Sequence, residues 1–199
     1  MYNKRNKIKI EIPKNIRILK KDNTLIFLGP LGLNKLKLDR LELDNKKILS
    51  SISFSKKINS LLILCKHKKN SFTYLSIIKN KFYGITRGFL VYLKIIGIGY
   101  RASLEKPNNS NINLNTDKES PSLGLRLKVG YSHDWILFTQ NSVRLFLIDP
   151  TTICIYGLDK NQITQIAVKI RKIRPPSIYK GKGIKFLNEN LNLKKGKSK

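Results

Sequence analysis

Twice along this chain, several short stretches that alternate apolar and polar residues give way to one stretch with helical spacing. Alternation at period two puts every second side chain on one face of a strand, whereas a helix repeats its buried face every three or four residues. The first block contains "KIKIEI", which ends at Pro13, then "IRILK", "TLIFLGPLG", "LKLDRLELD", "KILSSISF" and the more apolar "SLLILC". Gly29-Pro30 and Gly32 supply a turn after the third of these. The segment "SFTYLSIIKNKFYG" then changes period. Phe72, Leu75, Ile78 and Phe82 are spaced for one helix face, and Gly84 is placed to end the helix.

The second block repeats that order. "VYLKIIGIGYRASL" reads as one long strand, with period two carried through Gly97 and Gly99. "LGLRLKVGY" sets Leu123, Leu125, Leu127 and Val129 against Gly124, Arg126, Lys128 and Gly130, and "SVRLFLID" and "TTICIYG" join at Asp149-Pro150. Asp159 can cap a helix through "KNQITQIAVKIRKI", which Arg174-Pro175-Pro176 ends. Its Ile163, Ile166, Ala167, Ile170 and Ile173 share one broad face, with Lys169 and Lys172 on the other side.

This order predicts an α+β chain of two similar domains, each a mostly antiparallel β-sheet packed with one α-helix. The boundaries are an N-terminal domain over 1–88, a C-terminal domain over 89–187 and a basic tail over 188–199. The polar, Asn-rich segment "EKPNNSNINLNTDKESPS" at 105–122 reads as a loop inserted in the second domain.

Charge narrows the partner. The chain carries 40 Lys plus Arg against 12 Asp plus Glu, a formal +28. Such a chain repels itself unless a polyanion neutralises it, which leaves nucleic acid and anionic membrane as counterparts. No apolar run approaches the ~18 residues of a membrane span, and the cations are spread along the chain instead of being gathered on one amphipathic helix. RNA or DNA is the expected partner, and no membrane partner is expected. Cys65 and Cys154 sit in apolar runs as small buried hydrophobes, without the spacing of a disulfide or metal pair. His67 and His133 are too sparse for a metal cluster, and no nucleophile–base grouping stands out, so no enzyme activity, cofactor or small-molecule substrate is expected.

One motif speaks for a cofactor. Gly97, Gly99 and Ala102 match the G-x-G-x-x-A spacing of a dinucleotide site. That site needs a helix opening at the glycines, with an acidic residue at a strand end about 20 positions on. Here the alternation of Ile96, Ile98, Tyr100, Ala102 and Leu104 continues through the glycines, and Asp117 and Glu119 lie in the Asn-rich loop. Glycines inside a strand more often mark a bulge or a close backbone approach.

The C-terminal segment "KIRKIRPPSIYKGKGIKFLNENLNLKKGKSK" carries the binding reading. Lys169, Arg171, Lys172, Arg174, Lys180, Lys182 and Lys185 are interleaved with Gly181 and Gly183, and Lys194, Lys195, Lys197 and Lys199 follow. Glycine lets a backbone approach a phosphate, and its N–H adds a donor beside each ammonium. Tyr179 offers a ring for stacking or a hydroxyl for phosphate or ribose, and the proline pair stiffens the connection to the helix. The plain alternative is a solvated basic tail.

"PSIYKGKGI", from Pro176 to Ile184, resembles the signature segment of the large-subunit ribosomal protein six family of bacterial and organellar type. "GITRGFLVYLKIIGIGYRA" is similar to that family's domain junction, "LGLRLKVGYSH" to its L-x-L-x-x-G-Y-S-H stretch, and "GLDKNQITQIAVKIRKIR" to its second helix. "KIEIPKNIRI" and "FLGPLG" resemble its opening strands and Gly-Pro-x-Gly turn, so the likeness covers nearly the whole chain. Departures are the 105–122 insertion, Asp134 where proline is usual, Thr164 where glycine is usual, and "PPSIY" for a Pro-Glu-Pro-Tyr pattern.

The resemblance implies a structural constituent of the large ribosomal subunit with two similar α+β domains. It implies contact with large-subunit rRNA mainly through the second domain, near the stalk base and sarcin–ricin loop. Neighbouring ribosomal proteins, and translational GTPases docking nearby, are the implied partners. Carried over by position, the contact residues are Tyr179, Lys180, Gly181, Lys182 and Gly183, flanked by Arg171 and Arg174, and Arg101 adds to the same face. His133 in "GYSH" has two readings, an RNA or protein contact and a structural turn residue. The N-terminus has no apolar secretory segment and alternates like a strand by Ile8. Lys, Ile and Asn abound while Ala stands only at 102 and 167, as an AT-rich genome writes. A mitochondrial, organelle-encoded ribosomal protein is the favoured reading, with bacterial cytoplasm and plastid as alternatives. Another kind of basic nucleic-acid binder, or a dinucleotide enzyme, accounts for fewer of these features.

Overall fold

The computed structural model describes residues 6–21, 24–37, 49–55, 60–65, 68–105, 124–139 and 142–196. The rest lie outside the described residues. They include His67, most of the expected strand over 36–44, and 106–122 of the insertion. The chain divides into two units, Met1–Gly88 and Phe89–Lys199.

The first unit contains β1 (Asn6–Glu11), β2 (Arg17–Lys21), β3 (Thr24–Gly29), β4 (Gly32–Lys37), β5 (Leu49–Ser55), β6 (Ser60–Cys65) and α1 (Lys68–Thr86). Its strands form two antiparallel sheets, in the orders β1-β6-β5 and β2-β3-β4. Alternating burial along β3 sends Leu25 and Phe27 inward, where the Phe27 ring meets Phe82 of α1 edge-on at 5.7 Å. Fully burying side chains such as Phe27, Ile78 and Ile85 contributes about 1.5–3 kcal/mol each.

Helix α1 departs from expectation in two places. Its buried face is Tyr74, Ile78, Phe82 and Ile85, while Phe72 is 54% exposed. At about 100° per residue, Phe72 stands roughly 120° away from Ile78, outside the stripe that faces the core. The helix also runs past Gly84, because Ile85 is buried against Gly29 and its carbonyl accepts from the Leu31 N–H at 3.2 Å. The stop is Gly88, whose N–H still donates to the Gly84 carbonyl at 3.0 Å.

The second unit contains β7 (Phe89–Ile96), β8 (Arg101–Glu105), β9 (Gly124–Lys128), β10 (Trp135–Phe138), β11 (Val143–Asp149), β12 (Thr152–Gly157), α2 (Lys160–Ile173) and β13 (Gly183–Phe186). One antiparallel sheet runs β11-β12-β7-β13 and the other β10-β9-β8. The strand order of the first unit therefore recurs, with β13 added along the free edge of β7. The α+β expectation holds, and in each unit the strands are shared between two sheets.

Asp159 caps α2, its carboxylate accepting from the Asn161 N–H at 3.1 Å. Ile163, Ala167 and Ile170 are fully buried with Leu93, Ile153, Ile155 and Ile184. Thr164 faces solvent and its hydroxyl bonds back to the Lys160 carbonyl at 2.9 Å, so its extra bulk meets no packing partner. Cys154 is a buried free thiol, and burial pushes its pKa up against the weaker lowering effect of Tyr92.

The long strand expected over 91–104 is two strands in two sheets. β7 ends at Ile96, and Gly97–Tyr100 forms a turn closed by Tyr100 N–H to Gly97 O at 3.4 Å. Gly99 adopts φ +73°, where glycine is favoured, and Ile98 projects from the turn 89% exposed. The Pro150–Thr151 turn holds both sides, its carbonyls accepting from Ala102 N–H (2.7 Å) and Ile95 N–H (2.8 Å). The buried face changes parity across the turn, from Leu93 and Ile95 in β7 to Ala102 in β8. Apolar Ile96 and Ile98 fill the gap between the two patterns, so the run reads as continuous in the sequence.

Candidate nucleic-acid interface

The segment after α2 is a closed loop. Ile184 N–H donates to Arg174 O at 2.8 Å, Ser177 N–H to Lys182 O at 2.9 Å, and Gly181 N–H to Ser177 O at 2.9 Å. These bonds set the tip 178–180 outward, with Tyr179 60% exposed and Lys180 and Lys182 exposed. Gly183 closes the base of the loop. A Cβ there would stand 2.6 Å from Pro175 O and 2.7 Å from Pro176 Cα. Gly183, an expected phosphate contact, leaves the space that the proline pair occupies.

Beside the loop opens a cleft of about 390 Å³, lined by Tyr100, Tyr131, Arg174, Pro175, Ser177, Lys180 and Lys182. The Arg174 guanidinium lies 4.9 Å from the centre of the Tyr131 ring. Hydrogen bonding with Tyr131, and then electrostatic interaction with Tyr100, push its pKa further up, so it is a permanent cation. Tyr131 is fixed in turn by its hydroxyl, which donates to Ile173 O at 2.9 Å. The Tyr100 ring packs where side chains at Gly97 and Gly130 would otherwise stand. The lining thus combines three cations, a hydroxyl and two aromatic walls, and contains no carboxylate.

The expected site residues separate here. Arg174, Lys180 and Lys182 meet in the cleft, with Gly181 and Gly183 in the loop that presents them. Tyr179 stands at the tip, outside the cleft lining. Lys169 and Lys172 lie on the exposed side of α2, and Arg101 is exposed at the start of β8 opposite Lys128.

Arg171 and Lys185 are turned inward. Arg171 grips the Glu189 carboxylate with both Nε (3.1 Å) and Nη2, and Lys185 Nζ lies 3.5 Å from Glu189 O. A bidentate partner of this kind offsets a charge expected to face RNA. In exchange, the pair holds the following segment against the unit. Lys194 N–H donates to Ile178 O at 2.9 Å, so residues 189–194 of the expected tail fold back along the loop and carry exposed Lys194 and Lys195 with them.

Burial pushes the Glu189 carboxyl up, but hydrogen bonds from Arg171 and the Phe186 N–H, with the charges of Arg171 and Lys185, bring it below the usual carboxylate range. A carboxylate lowered in the folded state stabilises it above the unfolded value of about 4.3 and loses that contribution as pH falls through the folded value. Glu189→Gln is expected to reduce protection of the Lys194 amide against hydrogen exchange by about 2- to 5-fold at neutral pH, the scale of a solvent-screened pair. The deficit relative to wild type should shrink as pH falls below the unfolded value of about 4.3 and vanish once pH has passed the lower, folded value. Equal protection at pH 7 would show that the segment is held by other contacts.

Sequence reasoning missed Tyr100, Tyr131 and Trp135. Tyr131, His133 and Trp135 are exposed and occupy alternate positions, with ring centres 6.1 Å (Tyr131–His133) and 5.4 Å (His133–Trp135) apart. The aromatic alternation in "GYSHDW" was the signal available. Asp134, between two of these rings, is neutralised by Lys128 at 3.7 Å and Arg126 at 3.8 Å. Arg126 also pairs with Glu105 at 2.6 Å.

No protein-family model matches the chain. Individual proteins do. It is 41% identical over 192 residues to large ribosomal subunit protein uL6m of Prototheca wickerhamii, covering 96% of this chain and 95% of that one.

The chain belongs to the uL6 family.

Large ribosomal subunit protein uL6 of Karelsulcia muelleri is 36% identical over 96% of both chains. The uL6 protein of Mycoplasmoides gallisepticum is 32% identical over 95% of this chain and 93% of its own. The resemblance seen in "PSIYKGKGI" and the stretches before it thus extends over nearly the full length of uL6 proteins. Within the uL6 fold described here, the "YKGKG" loop and its cleft belong to the second unit.

Proposed function

We propose that this uL6-family chain is a structural, non-enzymatic constituent of the large ribosomal subunit, anchored to rRNA through the second unit. The observation that carries this reading is the cleft, where Arg174, Lys180 and Lys182 converge without a carboxylate in the lining. Lysines there neutralise phosphates, and the closed loop seats against the folded RNA backbone, a mode that reads shape and charge more than sequence. Lys169, Lys172, Lys194, Lys195 and Arg101 extend the positive surface. Arg171 and Lys185 serve it indirectly, by holding the segment behind the loop. Gly181 and Gly183 give the loop its path, and Tyr179 stands at its exposed tip.

By family resemblance the contact lies near the stalk base and sarcin–ricin loop, with neighbouring ribosomal proteins as further partners and translational GTPases docking nearby. The mitochondrial ribosome is the favoured setting, supported by the uL6m relative and the composition poor in alanine. Replacing Lys180 and Lys182 together by Ala is expected to weaken binding to a large-subunit rRNA fragment across sequences and to lower the salt slope by about 2, while the circular dichroism spectrum stays that of wild type. Unchanged binding at moderate salt would place the site elsewhere. Co-sedimentation with large subunits from fractionated mitochondria tests the setting.

A further inference from the structure

We infer that the second unit holds one unpaired nucleotide, its phosphate in the Arg174–Lys180–Lys182 cleft and its base against the exposed rings of Tyr131, His133 and Trp135. This rests on the rRNA reading and names the kind of RNA that the site prefers. Three observations carry it.

First, the cleft has room for a nucleotide. About 390 Å³ lies within the range of pockets for small ligands, about 300–1,000 Å³. A regular helix backbone needs only a flat basic surface.

Second, the rings beside it are left open. Tyr131 and Trp135 are 41% and 42% exposed, with His133 exposed between them. Bases inside a duplex offer no free face to such rings, whereas a bulged or extruded base does.

Third, the two parts share a residue. Tyr131 lines the cleft under Arg174 and begins the ring series, with His133 at 6.1 Å and Trp135 at 6.3 Å. A nucleotide that places its phosphate on the cations therefore has an aromatic surface next to it. The nearby negative charge of Asp134 is held away by Lys128 and Arg126.

The test uses the full chain and three RNA hairpins with the same stem: fully paired, carrying one bulged 2-aminopurine, and carrying an abasic bulge. The 2-aminopurine hairpin is expected to bind about 5- to 150-fold more tightly than the other two, with its fluorescence quenched on binding. Trp135→Ala should remove the preference while leaving affinity for the paired hairpin unchanged. His133→Ala serves the same purpose if circular dichroism shows that the first variant is unfolded. Equal affinity for all three hairpins, or a preference that survives in both variants, overturns the inference and leaves the rRNA reading standing. Binding to none of them at 50 mM salt overturns the rRNA reading, and this inference with it.

Discussion

Affinity for a large-subunit rRNA fragment should fall by roughly 10³ to 10⁵ between 50 and 200 mM salt if six to ten phosphates are contacted, on the scale set for duplex DNA. The cations proposed for the RNA face are of that order: exposed Arg101, Lys169, Lys172, Lys180, Lys182, Lys194 and Lys195, with Arg174 in the cleft. Each ammonium or guanidinium that neutralises a phosphate releases a condensed counterion. The gain is therefore entropic and shrinks as bulk salt rises. Arg171 is excluded from this sum because Glu189 already holds it. A titration of binding against salt gives the slope directly, and a nearly flat response would sink the electrostatic account.

Gly183→Val should destabilise the second unit by about 2–5 kcal/mol. Two costs combine. The residue has φ +138°, which a β-branched side chain resists, and its Cβ would press on Pro175 O and Pro176 Cα at 2.6 and 2.7 Å. Those are backbone atoms of a rigid proline pair, so no side chain can rotate aside. Relief requires the loop base to open, at the cost of the Ile184 N–H to Arg174 O bond and of Gly183's pairing with Ile96 at the sheet edge. Trp135 is the chain's only tryptophan and lies in the second unit, so urea unfolding followed by its fluorescence reports the affected part. An unfolding midpoint equal to wild type would mean that the loop base tolerates a wider gap than its geometry implies.

Much of the fold was legible because periodicity is a local property. The face of α2 with Ile163, Ala167 and Ile170, the Asp159 cap and the β11–β12 junction at Asp149-Pro150 all follow from spacing within one element. Where local rules were stretched, they failed for identifiable reasons. Phe72 shares an apolar character with the core face of α1 but not its angle. At Gly97–Tyr100 the chain changes sheet and the buried face passes from odd to even positions, while apolar Ile96 and Ile98 in between keep the run looking continuous. The basic character of the C-terminal segment was legible, while the fate of each cation within it was not.

From sequence alone came the α+β class, the strands-then-helix order in both halves, and the proposal of a polyanionic partner met by the loop "YKGKG". Each depends on residue type and spacing along a continuous stretch. Only the tertiary structure decided which charges remain available. Arg171 is spent on Glu189, Arg174 is laid over Tyr131, and Lys180 and Lys182 are turned into one cleft with Tyr100. Those pairings join residues far apart in the chain, and strand register and the turn at Gly99 bring them together. Side-chain chemistry supplies the cations, and the backbone path selects the ones that stay exposed.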